Sequence, residues 1–353
     1  MDKLIISCYN NSKILAHQLK GNESKYSVVY NNNYYYSDTC YNPAFILKHP
    51  TLQILYMCYE SIYDGHIGTF KINKNNLEEM NVVSSEGKSS CYLMFDYKCK
   101  NIININYWDS TISIHPIDNN GVLLDATYIH KSKESNKLNG INDHLKNRQS
   151  EPHYHCIEKK IINNKEIFFV SDLGFSVIYF FEYNFNSQNK LQLIGKKKLN
   201  RNDGPRYIKI IDNLLLVINE LSSSITTFNI TNDFNNLLVY NQNITTILEE
   251  INYNTCGNLI IHPNKKFLYA SNRGDDSIAC YQIKNKKLIL RRLYDSGGKT
   301  PRHFTINNLG DYLYCANQDS NNISIFNIDL ANGNLKLKEK IVYDSPNFIF
   351  VND

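Results

Sequence analysis

The sequence is short of the residues that staple or anchor a chain. It has one tryptophan and eight prolines in 353 residues, and its nine cysteines form no CxxC pair and have no histidine at zinc-finger spacing. This argues against a disulfide framework and against structural zinc. Most of the cysteines sit in apolar runs such as LYMCYE and LYCAN, where a thiol behaves as a small buried hydrophobe. No apolar run approaches the ~20 residues needed to cross a bilayer, and the opening MDKLIISCYNNSKIL lacks the apolar centre of a secretory signal. A cytoplasmic protein with no membrane partner is expected. The formal charge of +4 is spread along the chain without a basic tail or arginine stripe, so nucleic acid is not an expected partner and small anions are.

What is abundant is asparagine, at 51 residues, and tyrosine, at 26. Such a bias fits AT-rich coding, and asparagine clusters read by default as loops. Beneath it lies a repeat. A short apolar strand ending in a polar or aromatic residue recurs as LIISCYN, LQILYMCYE, NIININYWD, IFFVSDLG, LLLVINEL, FLYASNRG and YLYCANQD, with steps of 45 to 66 residues between copies. About 13 to 19 residues before such a strand comes a second signal, usually proline and then an apolar alternation. Its copies are NPAFIL, SSCYLMF, EPHYHCI, GPRYIKI, TCGNLII, TPRHFTI and SPNFIFV, anchored at Pro43, Ser90, Pro152, Pro205, Cys256, Pro301 and Pro346.

Period-two alternation bounded by Gly, Asn, Asp and Pro predicts antiparallel hairpins, and no long amphipathic helix is evident. Units of about four strands at ~40 to 50 residues predict an all-β, seven-bladed β-propeller of four-stranded antiparallel blades. SPNFIFVND at the C-terminus resembles only a first strand, and the N-terminal segment only later ones. The N- and C-terminal strands are therefore expected to pair in one blade and close the ring, leaving no free edge. A single domain over 1–353 follows, with a Lys- and Asn-rich surface insertion over about 127–150 that accounts for the longest step.

A propeller gathers equivalent positions of its innermost strands at one mouth of the channel. One residue past the anchors lie Ala44, Cys91, His153, Arg206, Gly257, Arg302 and Asn347; near the strand ends lie Glu60, Trp108, Asp172, Glu220, Arg273 and Gln318. Arg206, Arg273 and Arg302 present rigid donor forks suited to carboxylate or phosphate, the alternative for each being a pair with an acid such as Glu220 or Asp172. His153 and His155 share a strand face if the alternation holds, and histidine relays protons near neutral pH. His303 is a third candidate. Each histidine has the alternative of a structural role. No acidic or imidazole set at matching offsets completes a metal site.

With these residues in view, EPHYHCIEKK, NDGPRYIKI, VINELSSSITTF, HPNKKFLYASNRGDDSIACYQI and TPRHFTINNLGDYLYCANQDSNNISIFNID resemble the lactonase family of seven-bladed propellers. That family includes cycloisomerase-type 6-phosphogluconolactonases and carboxymuconate-lactonising enzymes. The resemblance implies a metal-independent site without cofactor, and its His, Arg and Glu motif positions fall on His153, His155, Arg206, Glu220, Arg273 and Arg302. The sequence departs from the motifs where Tyr207, Tyr92 and Ile260 replace histidines, Ser90 replaces a proline and Asn258 replaces an acid.

The expected function is hydrolysis of a phosphorylated sugar lactone, by resemblance 6-phospho-glucono-1,5-lactone of the pentose phosphate pathway, by a monomer or weak oligomer. Glu220, His155, His153 and Arg206 are the expected catalytic set. Glu220 or His155 takes the proton of water and His153 returns one to the leaving oxygen, while Arg273, Arg302, His303 and Gln318 bind substrate. The alternatives are a muconate-type lactonising enzyme with the same anion clamp and a non-catalytic propeller serving as an interaction platform.

Overall fold

Short alternating segments separated by polar turns have few ways to bury their apolar faces except by pairing as strands and stacking the resulting sheets. The computed structural model describes residues 3–9, 14–18, 27–30, 42–73, 77–133, 145–249, 251 and 253–352. Among these, regular structure is strand, apart from a four-residue α-helix, Lys146–Gln149, and one 3-10 turn, Phe234–Asn236. The strands form seven four-stranded sheets, antiparallel throughout the paired registers, the blade architecture of a β-propeller.

The first strands are Pro43–Lys48, Ser90–Phe95, Tyr154–Ile162, Pro205–Ile211, Thr255–Ile261, Pro301–Ile306 and Pro346–Asn352, so every anchor opens a first strand or lies within two residues of its start. The repeated apolar strands are the second strands. Lys3–Cys8 pairs with Pro346–Asn352, so the two ends of the chain meet in one sheet.

The chain divides into two units. One comprises Leu47–Ile72 and Glu78–Asn243; the other comprises Met1–Ile46, Asn73–Leu77 and Ile244–Asp353. We refer to them as the four-sheet and three-sheet units, after the sheets that lie wholly or mainly in each. In the four-sheet unit the large buried side chains include Tyr56, Tyr154, Phe168, Phe169, Tyr179 and Phe181. In the three-sheet unit one cluster joins Tyr269, Phe304, Leu313 and Phe326, and another joins Leu4, Ile6, Tyr314, Ile323 and Ile349. The eight described cysteines are free thiols, seven of them buried; Cys40 lies outside the described residues.

The asparagines that the repeat places at the ends of four second strands, Asn106, Asn219, Asn272 and Asn317, are fully buried. Their side-chain amides donate across the following turn to Thr111 (2.8 Å), Ser224 (2.9 Å), Ser277 (3.0 Å) and Ser324 (2.9 Å). Each hairpin is locked by a buried amide that donates across its turn, with the turn's last residue left-handed at Ser110, Ser223, Asp276 and Asn321. The 127–150 stretch differs from a plain surface insertion. Tyr128–Lys131 is not inserted but forms the outer strand of its sheet, pairing with Thr111–Pro116. Lys146–Gln149 is the short helix, and residues 134–144 lie outside the described residues.

Candidate active site

In the four-sheet unit the first strands of successive sheets lie side by side, Ser90–Phe95 against Tyr154–Ile162 and that against Pro205–Ile211. This packing brings together groups far apart in sequence. Each first strand enters through a bulge, between Tyr154 and Cys156 and between Pro205 and Ile208, which re-aims the side chains at its start. The Asp172 carboxylate accepts from the His153 backbone N–H at 2.8 Å and from that of Phe175 at 3.0 Å, tying the strand entry to the neighbouring turn. Gly174 permits the approach: a Cβ there would lie 1.8 Å from the Glu151 carbonyl oxygen.

The centre is Glu220, buried at the end of Leu214–Asn219. Its Oε2 lies 2.8 Å from Arg206 Nε and its Oε1 accepts from Arg148 Nη2 at 2.6 Å. Arg206 is therefore one of the arginines that takes the paired reading. The pair is shared with a second guanidinium, from the short helix. The Glu220 carboxylate raises the Arg148 pKa above its ordinary value. Burial works to discharge Arg206, and Tyr207 together with Glu220 overcomes it, so its pKa rises as well. Both guanidiniums stay charged, and Glu220 has an ion pair on each oxygen.

Around this core stands an aromatic wall. Tyr107 stacks on His153 with ring centres 4.6 Å apart and 8° between planes, and its hydroxyl accepts from Arg148 at 3.3 Å. Trp108, 41% exposed, meets His153 edge-on at 5.3 Å. His155 lies edge-on to Tyr107 at 5.5 Å and to Tyr207 at 5.4 Å. Burial, with the Arg148 charge as a lesser cause, lowers the His153 pKa to about 4 against the opposing effect of the Tyr107 carbonyl, so the ring is neutral at pH 7. Its Nδ1 lies 3.4 Å from that carbonyl, and with Nδ1–H as donor the Nε2 lone pair is left as the basic position.

The two tyrosines at departed motif positions belong to this wall. Arg206 lies 4.6 Å over the Tyr207 ring, and Tyr207 packs at 5.7 Å on Tyr92. Lys209 donates to the Tyr92 hydroxyl at 3.2 Å and to Glu158 at 2.6 Å. Aromatic faces thus stand where the family motifs have imidazoles.

In the three-sheet unit the remaining candidates are held differently. Arg273 donates to the Cys256 carbonyl at 2.8 Å, and Arg302 lies 4.8 Å over the Tyr9 ring. His303 stacks on Phe348 at 3.9 Å, and its Nδ1 accepts from the Ile349 N–H at 3.2 Å. That bond places the imidazole proton on Nε2 and gives His303 a structural part. Asn258 donates to the Phe304 carbonyl at 2.8 Å, joining two sheets. Gln318 Oε1 is buried with no hydrogen-bond partner among the described residues.

Arg148 and Tyr107 were missed by repeat counting. Tyr107 adjoins the counted positions Asn106 and Trp108; Arg148 lies in a stretch that the repeat does not cover. Its signal was proximity, since KNRQ ends four residues before His153.

Strand-built blades carrying a buried arginine–carboxylate–arginine cluster beside two histidines define a β-propeller with the chemistry of an anion-binding hydrolase. The chain belongs to the family described as lactonase, 7-bladed beta-propeller, whose profile matches residues 3–351. It is 30% identical over 318 residues to the 6-phosphogluconolactonase of Formosa agariphila, covering 86% of this chain and 87% of that one. It is 27% identical over 301 residues to the 6-phosphogluconolactonase of Blochmanniella pennsylvanica, covering 82% and 81%. The solved periplasmic gluconolactonase of Pseudomonas aeruginosa shares the fold, with a TM-score of 0.85 at 17% identity over 99% of this chain and 98% of that one.

Proposed function

We propose that the protein hydrolyses 6-phospho-glucono-1,5-lactone to 6-phosphogluconate, and that its seven sheets are the blades of one closed propeller. The observation that carries the activity is the Arg206–Glu220–Arg148 cluster beside neutral His153. The names of the relatives support the substrate class.

Water attacks the lactone carbonyl carbon, and the carbonyl oxygen gains negative charge as the tetrahedral intermediate forms. The Arg206 guanidinium, held in place by a buried carboxylate, answers that charge without reorganising, and such fixed charge is the strongest source of rate acceleration open to a site of this kind. Glu220, with a guanidinium on each oxygen, is a poor proton acceptor; its part is to orient Arg206 and Arg148. The proton of the attacking water passes instead to histidine, at His153 Nε2 or on His155. The carbon–ring oxygen bond then breaks, the same proton returns to the leaving oxygen, and the open-chain acid is released. Arg273, Arg302 and Gln318 are proposed as substrate-binding residues. His303, bonded through Nδ1, has only its Nε2–H to offer.

The test is acid release from freshly prepared 6-phosphogluconolactone in a pH-stat, with wild type and Arg206→Ala. Acceleration by the wild type and a fall of about 10²- to 10³-fold in the variant are expected. A wild-type rate equal to the spontaneous one overturns the proposal.

A further inference from the structure

The helix that carries Arg148 is only four residues long, too short to be stable by itself. It is pinned by the next residue. Gln149 is fully buried, and its amide donates to the carbonyls of Leu173 (3.3 Å) and Arg201 (2.9 Å) and to the Ser176 hydroxyl (3.0 Å). Successive helical residues point about 100° apart, so anchoring Gln149 in the scaffold directs Arg148 elsewhere. It reaches Glu220.

The two guanidiniums on Glu220 are not equivalent. The Arg206 side chain is 5% exposed and Glu220 3%, whereas Arg148 is 35% exposed. Arg206 is further influenced by the Glu60 carboxylate. Among the described residues, the hydrogen bonds of Arg148 run only from Nη2, to Glu220 and Tyr107. A guanidinium has five N–H donors, so Nε and Nη1 keep three beyond those that the described residues engage, on a side chain that is 35% exposed. Both forks of the guanidinium end on Nη2, which the protein holds, so the remaining donors meet an anion singly and with the full charge of the group.

We propose that Arg148 binds the phosphate of the substrate through its charge and a single donor, Nε–H or Nη1–H, and so sets the preference for phosphorylated over unphosphorylated lactones. The inference rests on the lactonase reading but is separable from it. Bound phosphate lies next to His153 in this arrangement, and a nearby anion raises the proton affinity of an imidazole that burial has lowered. Phosphate recognition would then improve the proton acceptor.

The experiment compares kcat/KM for 6-phosphogluconolactone and glucono-1,5-lactone in wild type, Arg148→Ala and Arg148→Lys, with inorganic phosphate as competitor. In Arg148→Ala the preference for the phosphorylated lactone falls at least tenfold and inhibition by phosphate weakens by a similar factor; Arg148→Lys recovers part of both. Equal losses on the two lactones with phosphate inhibition unchanged would overturn the inference and leave Arg148 as a positioning residue for Glu220. Failure of the wild type to accelerate either lactone would instead count against the lactonase reading. In that event 6-phosphogluconate binding, followed by the fluorescence of the sole tryptophan, Trp108, still decides the matter: binding weakened tenfold by Arg148→Ala supports the inference, and equal binding refutes it.

Discussion

The two units use the same repeat positions to different ends. One residue past the anchor, the four-sheet unit has His153 and Arg206, which meet Tyr107 and Glu220; the three-sheet unit has Gly257, Arg302 and Asn347. At Gly257 a Cβ would come within 2.7 Å of the Pro301 carbonyl, so that position serves strand approach. Asn347 donates to the Pro43 carbonyl at 2.8 Å and accepts from the Ser7 hydroxyl at 2.7 Å. A repeat therefore predicts where a residue stands, while its neighbours decide whether it does chemistry or joins sheets.

That contrast can be broken by substitution. The largest effect is expected for Glu220→Gln, which leaves two guanidiniums without their shared counter-charge. Breaking a buried pair from one side costs about 3–5 kcal/mol; a urea titration should show it, and kcat/KM should fall about 10²-fold or more. Retention of wild-type activity would remove the cluster from the mechanism.

Next comes acid. His153 titrates at about 4 in the folded protein and near 6.5 when unfolded, so between those values the unfolded chain binds the extra proton. Stability is full above about pH 6.5 and declines as pH falls towards 4, by about 3 kcal/mol from this group. His153→Gln should remove that share from the pH dependence of chemical unfolding. Part of the slope should remain, because burial also lowers the pKa values of His49, His115 and His130.

Gly174→Ala should cost about 2 kcal/mol and reduce activity together with stability, since the Cβ displaces the backbone that carries His153. In the three-sheet unit, Arg273→Ala should raise KM for the phosphorylated lactone about tenfold, equivalent to about 1.4 kcal/mol. His303→Phe should be smallest, about 1 kcal/mol of stability for the lost Ile349 bond with turnover largely kept. A collapse of turnover in His303→Phe would erase the contrast between the units.

The strands were legible because period-two alternation and proline anchors are local signals, and the neighbourhood of His153, Arg206 and Glu220 was legible because repeat register turns sequence distance into adjacency. The role of Glu220 was not. A carboxylate near arginines reads equally as base or ion pair until each oxygen is seen with its own guanidinium. Arg148 escaped because a four-residue helix has no periodicity to detect, and the asparagines at the strand ends were placed by the repeat while their bonds across the turns were not. The outer strand Tyr128–Lys131 lay within a polar stretch whose composition resembles a loop.

The most direct measurement is a crystal structure of the wild type soaked with 6-phosphogluconate. The ligand is expected against Trp108 and Tyr107, within hydrogen-bond distance of Arg148 and with an oxygen close to His153 or His155. Product bound away from the Arg206–Glu220–Arg148 cluster, with that cluster facing only water, would contradict it.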